Sequence, residues 1–396
     1  MIDNRAISIS LFTGAGGLDI GIEQAGFRVV SVVEKDPDAA KTIAFNRPHL
    51  NRAVGRDIQK ITAQNLLEEG AYVINLGRPL RIGEVDLVTG GPPCQPFSTA
   101  GKRGSVMDPR GSLFMDFIRI VEQVQPRFFV MENVKGLLSA PIRHRPHLER
   151  GTGYAPLELD EIQGSALEIV LEEMKRLGYQ VIYKVMEAAD YGVPQNRARV
   201  IFIGSRDGES ATFPLPTHSK DGSLLPQWRT LKDALINLED PQPEYTSYSK
   251  NRLQYLKLLK SGQNWRDLPN DLIKEAMGGA YKSGGGKVGF YRRLCWDKPS
   301  PTVTTSPYQK ATDMCHPEEL RPLSVRECAR IQTFPDSWIF YGSTASKYRQ
   351  IGNAVPVLLA KAIGDYLHSL IREEKPKGIP VFEQLSLFNY YPHSAP

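Results

Sequence analysis

Val85-Asp86-Leu87-Val88-Thr89-Gly90-Gly91-Pro92-Pro93-Cys94-Gln95-Pro96-Phe97-Ser98 is the stretch on which the reading of this chain turns. An apolar run broken only by Asp86 ends in Thr89-Gly90-Gly91, the order of a buried strand that empties into a loop. Prolines at 92, 93 and 96 leave that loop few backbone conformations. A lone cysteine on a stiff loop at a strand's carboxyl end is where an open α/β sheet would place a nucleophile. It is equally the place for a small buried hydrophobe, which is what most free cysteines are. The stretch alone leaves both readings open.

Outward from this strand, residues 1–205 alternate between short β-rich runs and helical patterns. The runs are 7–12, 29–34, 85–89, 127–132, 181–186 and 200–204, and the helical patterns fall at 18–26, 36–46, 112–124 and 163–177. Such alternation predicts an α/β fold with a mainly parallel sheet, helices on both faces and a ligand at the strands' carboxyl ends. Residues 138–164 are polar and basic, with Arg143-His144-Arg145 and Gly151-Thr152-Gly153, and read as a surface insertion. Residues 206–320 lose the βα rhythm and are punctuated by Pro214, Pro216, Pro226, Pro241 and Pro243, which predicts a separate domain of irregular and β structure. Helical patterning returns at 323–333 and 354–372. The second carries an apolar face (Val355, Leu358, Leu359, Ala362, Ile363, Tyr366, Leu367, Leu370) that predicts a return to the first sheet. Residues 1–205 plus 321–375 are thus expected to form one discontinuous domain, 206–320 a second, and 376–396 a loose tail.

Composition narrows the class. The chain has 396 residues, 41% of them hydrophobic, enough for a sizeable core. Its four cysteines form no CxxC pair, the nearest two being 13 apart, so neither a zinc ribbon nor a disulfide scaffold is indicated and no metal is expected. Together with the lack of a signal-peptide pattern and of an apolar run long enough to span a bilayer, this leads to the expectation of a cytoplasmic protein. A net charge of +5 permits a polyanionic partner without requiring one.

Strand one ends in Phe12-Thr13-Gly14-Ala15-Gly16-Gly17-Leu18, where glycines allow a ligand close to the backbone. Glu34 ends strand two, 20 positions after Gly14, and a carboxylate there can accept both hydroxyls of a ribose. A dinucleotide fingerprint would have glycine at 19, but the chain has Asp19, and no lysine follows in P-loop spacing. An adenosine without a diphosphate fits better, with Asp57 placed to meet the adenine amine; a plain tight turn is the competing account of the glycines. Glu132-Asn133-Val134 closes the strand Phe128-Phe129-Val130-Met131. Poor hydration there would raise a carboxyl pKa, so that Glu132 could donate to a ring nitrogen; a helix cap or a buried ion pair is the alternative. In Gln195-Asn196-Arg197-Ala198-Arg199 the arginines, two apart on an extended segment, face one way, either into one site or as exposed salt-bridge partners. Gly352-Asn353-Ala354-Val355-Pro356 is expected to begin the last helix, with Asn353 as its N-cap. Between 280 and 310, Lys282, Lys287, Arg292, Arg293, Lys298 and Lys310 stand against one acid, Asp297, with Tyr281, Phe290, Tyr291, Trp296 and Tyr308 interleaved. This suits phosphate contacts and base readout, or else an ordinary solvated basic face.

In this order, these pieces resemble the cytosine-5 DNA methyltransferases. The resemblance runs over about 6–372 and is carried by Phe12-Thr13-Gly14-Ala15-Gly16-Gly17, Pro92-Pro93-Cys94-Gln95, Asp108-Pro109-Arg110-Gly111-Ser112-Leu113-Phe114, Glu132-Asn133-Val134 and Gln195-Asn196-Arg197-Ala198-Arg199. Arg321-Pro322-Leu323-Ser324-Val325-Arg326-Glu327-Cys328-Ala329-Arg330 and Gly352-Asn353-Ala354-Val355-Pro356 complete it. It is weakest over 206–320.

The resemblance implies a Rossmann-like, S-adenosylmethionine-dependent methyltransferase domain and a smaller, irregular β-rich target-recognition domain. It implies Cys94 as the nucleophile on carbon 6 of a flipped cytosine, Glu132 on N3 and the amine, Arg199 on O2, and Arg197 as support for the pocket or the thiolate. Phe12, Gly14, Gly16, Gly17, Leu18, Glu34, Asp57, Ile58, Pro93, Asn353 and Val355 would contact the cofactor, with S-adenosylhomocysteine as its product. Double-stranded DNA would meet Gln95, Ser98, Lys102, Arg103 and Arg110 of a lid spanning 98–111, together with Arg292, Arg293 and Thr304. The expected protein is a bacterial monomer of restriction-modification type, sharing its target with a cognate endonuclease. A tRNA-directed relative and a catalytically silent DNA-binding scaffold are the rival readings. The tRNA-directed subgroup's Cys-Phe-Thr signature is absent, and Cys94, Glu132 and the arginines are all present.

Overall fold

The computed structural model describes residues 5–53, 55–93, 112–143, 145, 149–151, 153–282 and 287–372. Six strands form the central sheet: β1 (Ala6–Leu11), β2 (Phe27–Val33), β3 (Leu87–Gly90), β4 (Phe128–Val134), β5 (Gln180–Glu187) and β7 (Ala198–Ser205), in the order β2-β1-β3-β4-β7-β5. The first four are parallel, whereas β7 runs antiparallel to both β4 and β5. The mainly parallel expectation therefore holds, with β7 the one reversed strand of the six. At the other edge β5 and β7 return as an antiparallel pair, because too few residues separate them for a crossover helix.

Phe128, Phe129, Val130 and Met131 are all completely buried, as a strand covered on both faces requires. One face is covered by α3 (Ala63–Val73), α4 (Ser112–Val124) and α5 (Ser165–Arg176), through residues such as Leu66, Phe117, Val121 and Val170. The other is covered by α1 (Gly17–Gln24) and α11 (Val357–Ile371), whose Ile22, Leu359, Ile363 and Leu367 close over Phe27, Phe128 and Ile201. The last helix thus returns to the sheet as its apolar face predicts. α2 (Pro37–Asn46) follows β2, capped by Asp36, whose carboxylate accepts from the Asp38 and Ala39 amides.

Two expectations need correction. First, 206–320 is irregular but not β-rich. Its described residues hold α6 (Leu231–Leu235), α7 (Lys250–Leu256) and α8 (Asn270–Met277), and a strand, β8 (Ser300–Pro301), two residues long. β8 pairs with β6 (Gln195–Asn196), outside that region. Frequent prolines deny it ladder donors. It is organised instead around aromatic side chains, with Tyr248, Tyr255 and Tyr291 packed near Arg252, which binds Asp313 at 2.5 Å. Leu231, Leu294, Val303 and Met314 share a core with Leu323 and Val325 rather than with this aromatic cluster.

Second, Asn353 does not cap the last helix. It is the final residue of α10 (Thr344–Asn353), while α9 (Val325–Ile331) lies upstream and α11 begins only after Pro356. A proline disfavours helical geometry in the residue before it, which splits the run into two helices. The stretch 344–371 is apolar enough by length and composition to resemble a membrane span, but half of its most apolar window is buried inside the fold and Pro356 divides it into two helices, as in a core element. In the 138–164 insertion the basic character is neutralised locally. Arg143 pairs with Glu158 and Asp160, and Arg145 with Glu161.

Candidate active site and cofactor cavity

A cavity of about 550 Å³ opens at the carboxyl ends of β1 to β4, where β1 is flanked by β2 on one side and β3 on the other. Phe12, Thr13 and Gly14 line it after β1, and Glu34 after β2. Asp57 and Ile58 contribute from the next turn, Gly91, Pro92 and Pro93 after β3, and Glu132 and Asn133 from β4. Arg197 and Arg199 join from the β6–β7 segment, and Asn353, Ala354 and Val355 from the α10–α11 connection. A volume of this size suits a nucleoside-sized ligand.

The turn after β1 is strained at a non-glycine position. Phe12 has φ 55°, a left-handed conformation that costs about 1–3 kcal/mol and concentrates at functional sites. Gly14 donates its amide to Glu34 Oε2 at 2.7 Å, and the Asp36 amide donates to Oε1 at 2.7 Å. Burial pushes the Glu34 carboxyl above its ordinary range, opposed by these two amides. Leu18 and Gly17 also line the cavity. A Cβ on Gly17 would stand 2.4 Å from the Val355 carbonyl, so only glycine lets the first loop and the last close on each other. Gly16 departs from expectation. It is absent from the cavity wall, sits at φ 84° and packs against Ile43 and Trp338, where it shapes the turn.

Asp57 is engaged. Lys35 Nζ lies 2.8 Å from its Oδ2 and holds its carboxyl below the usual range. The other cations of the wall are engaged as well. Arg56 pairs with Glu69 at 2.5 Å, Arg199 with Glu132 at 2.8 Å, and Arg349 with Asp36 at 3.7 Å. Arg197 donates to the carbonyls of Val303 (3.1 Å), Gly352 (2.9 Å) and Ala354 (3.0 Å). It is 1% exposed; burial, helped by Arg199, pushes its pKa down to about 9, so it keeps its proton at neutral pH. Arg197 therefore holds the backbone of the cavity wall in place.

Glu132 is buried, and the ion-pair reading of this residue is the one the geometry shows. Its Oε2 lies so close to Gly91 that a Cβ there would stand 3.0 Å away. The neighbouring Asn133 donates Nδ2 to the Pro92 carbonyl at 3.3 Å, anchoring the loop that leaves β3. The acid and the described residues that lead to Cys94 are thus held by one strand. Cys94 itself lies outside the described residues, as do Gln95, Ser98, Lys102, Arg103 and Arg110.

Of the expected DNA contacts elsewhere, Arg293 is buried, with Nη1 donating to the Leu259 carbonyl at 2.9 Å, and is withdrawn from any phosphate. Arg292 is half-buried and donates Nε to the Asp313 carbonyl at 2.9 Å. The Thr304 hydroxyl is buried and has no hydrogen-bond partner among the described residues.

Sequence reasoning passed over Ser10, Lys35 and Arg349 in the wall, and it noted Asp19 only for not being glycine. Asp19 is buried behind the wall, where Ser10 Oγ donates to it at 2.5 Å and Thr13 Oγ1 donates to Ser10 Oγ at 3.0 Å. Burial raises its carboxyl pKa to about 7. A charged residue inside the apolar face of a helix was the available signal.

Comparison with known proteins now gives the class. The family model for C-5 cytosine-specific DNA methylases matches residues 7–369. The chain belongs to that family, and its enzymatic class is DNA cytosine-5 methyltransferase. It is 40% identical to the Type II methyltransferase M.Sau96I of Staphylococcus aureus over 358 residues, covering 90% of this chain and 74% of the relative. It is 39% identical to the Type II methyltransferase M.Eco47II of Escherichia coli over 370 residues, covering 92% and 79%. Among solved structures, a protein encoded within an E. coli prophage and assigned to the DNA modification methyltransferases superposes with TM-score 0.59 at 26% identity, covering 93% of this chain and 99% of that one. The Entamoeba histolytica methyltransferase EhMeth superposes with TM-score 0.57 at 15% identity over 93% and 99%, a likeness of fold.

Proposed function

We propose that this protein transfers a methyl group from S-adenosylmethionine to carbon 5 of a cytosine within a specific double-stranded DNA sequence. The observation that carries the reading is the Glu132–Arg199 pair beside Gly91, shortly before Cys94 in sequence, on the wall of a nucleoside-sized cavity. Every cation on the described wall already has a carboxylate or carbonyl partner, which suits adenosine without a diphosphate. Glu34 would take the ribose hydroxyls, Asp57 the adenine amine and Phe12 the ring face, while Asn353 and Val355 close the pocket.

When bound, the cofactor supplies an electrophilic methyl group and leaves as S-adenosylhomocysteine. Carbon 5 of cytosine is too weak a nucleophile to accept it unaided. The Cys94 thiolate would add to carbon 6, forming a sulfur–carbon bond and moving electron density to carbon 5. Glu132 would hold N3 and the exocyclic amine as charge develops on the ring, and Arg199 would bind O2. After methylation, loss of the carbon-5 proton to a base returns the electron pair and expels Cys94. These carbons are stacked within a duplex, so the cytosine would be flipped out and covered by the 98–111 segment.

The 206–320 unit would read the target, working in a bacterial cytoplasm on DNA shared with a cognate restriction endonuclease whose cleavage the methyl mark blocks. Incubating the protein with methyl-labelled cofactor and a mixture of DNA and tRNA tests the reading. Label is expected in DNA, at carbon 5 of cytosine. Label in tRNA alone, or in neither, overturns it.

A further inference from the structure

Beneath the cavity runs a buried polar chain that the proposed chemistry does not use. Gln195 in β6 and Gln332, just past α9, are both fully buried. Gln195 Oε1 accepts from the Val303 amide at 3.1 Å, and its Nε2 donates to Gln332 Oε1 at 2.7 Å. Gln332 Nε2 donates in turn to the carbonyls of Ile351 at 2.6 Å and Ala354 at 3.1 Å. Each amide is fixed in orientation, since a flip would set donor against donor at one end and acceptor against acceptor at the other. Apolar side chains of the same shape would fill this space without such demands. The polar pair therefore specifies position.

Its two ends are the informative part. One is Val303, in the segment 300–304 that carries Thr304 within the proposed DNA-reading unit. The other is Ala354, between Asn353 and Val355 on the cavity wall. Arg197 spans the same gap from below, donating to the Val303 and Ala354 carbonyls. Above it the backbones touch: a Cβ on Gly352 would lie 2.5 Å from the Thr304 carbonyl carbon. Neither segment can shift without the other, or without breaking buried hydrogen bonds.

We propose that Gln332 is a positioning residue that couples the cofactor loop to the DNA-facing segment, so that filling the cavity orders residues 300–304 for DNA. The inference rests on the functional reading above. Because ordering one end removes part of the cost of ordering the other, cofactor and DNA should each tighten binding of the other by the same factor.

The test uses the full-length protein, S-adenosylhomocysteine and a duplex containing the target found by mapping methylated cytosines. In the wild type, S-adenosylhomocysteine should slow amide exchange at 300–305 and raise DNA affinity by on the order of tenfold. In Gln332→Met, S-adenosylhomocysteine should still bind within about threefold of wild type, yet exchange at 300–305 should no longer respond and the gain in DNA affinity should fall below about threefold. Gln195→Met cuts the chain at its other link and serves if Gln332→Met does not fold. The double variant should lose no more coupling than either single one. A purely structural glutamine would lower stability but leave the response intact, and that result overturns the proposal. Binding of S-adenosylhomocysteine to the wild type without slowed exchange overturns the coupling alone. Failure of the wild type to bind it overturns the coupling and the functional reading together.

Discussion

Arg199 Nε stands 2.8 Å from Glu132 Oε1, across the antiparallel pairing of β4 and β7. In that register Arg199 lies opposite Val134 and Glu132 opposite Ile201, so the pair is a diagonal one on a single face of the sheet. The reversal of β7 is what brings the arginine beside the acid at the strand's end.

This pair sets the first prediction. Both side chains are well buried, so Glu132→Ala leaves an uncompensated cation and should destabilise the fold by about 3–5 kcal/mol. Glu132→Gln keeps the shape and one acceptor and should cost less stability, yet lower kcat by roughly 100-fold or more. Thermal denaturation and single-turnover methylation, run on both variants, check the split; equal kcat for Glu132→Gln and wild type would remove Glu132 from the chemistry.

Cys94→Ser should abolish methyl transfer while leaving S-adenosylhomocysteine affinity within about threefold, since an alkoxide is far harder to form than a thiolate at neutral pH. Calorimetric titration and a labelled-methyl assay read the two quantities separately. Turnover by the serine variant at more than a trace of the wild-type rate would refute the nucleophile.

Asp57→Ala should raise the dissociation constant for S-adenosylhomocysteine by about tenfold or more, the worth of a hydrogen bond to a charged acceptor. Lys35→Ala removes an ion-pair partner that is mostly in water, and the fold should lose no more than about 1 kcal/mol. Unchanged affinity in Asp57→Ala would take this carboxylate out of the adenine pocket.

Asp19 predicts a pH dependence. Burial raises its carboxyl to about 7 from an ordinary 3.8, so the folded protein keeps a proton that the unfolded chain releases across this range. Stability from this group is therefore full below the unfolded value and is lost as pH rises through the folded one. Asp19→Asn keeps an acceptor for Ser10 and carries no charge. The melting temperature of the variant should gain on the wild type between about pH 4 and 7 and hold that gain above it. Parallel profiles for the two proteins would show that Asp19 does not titrate in that window.

Much of this was legible because it rests on runs of like residues. Phe128 to Met131 could only be a strand buried on both faces, and the carboxylate after it could only stand at that strand's end. Direction was not legible. The run 200–204 is equally apolar whether parallel or antiparallel, so the reversal that joins Arg199 to Glu132 leaves no mark in composition. Neighbours were also hard to separate. Arg292 and Arg293 counted alike as positive charge, but successive side chains of an extended segment point to opposite sides, and Arg293 turned inward. The same limit affected the glycines, where Gly14 meets the cavity and Gly16 meets Trp338. α3 did carry a signal: Thr62 and Asn65 form a capping box ahead of Leu66, Leu67 and Ala71. Its short apolar face, interrupted by Gly70, obscured the helical period.

The cavity wall begins at Ser10 and is completed only at Val355. During synthesis, the sheet and most of the pocket emerge long before the α10–α11 connection leaves the ribosome. A nascent chain can therefore assemble its strands while having no closed container for a methyl donor, and the apolar face of α1 lies bare until α11 arrives to cover it. Competence to hold the donor therefore waits for the α10–α11 connection, and the same later helix turns a sticky intermediate into a covered fold.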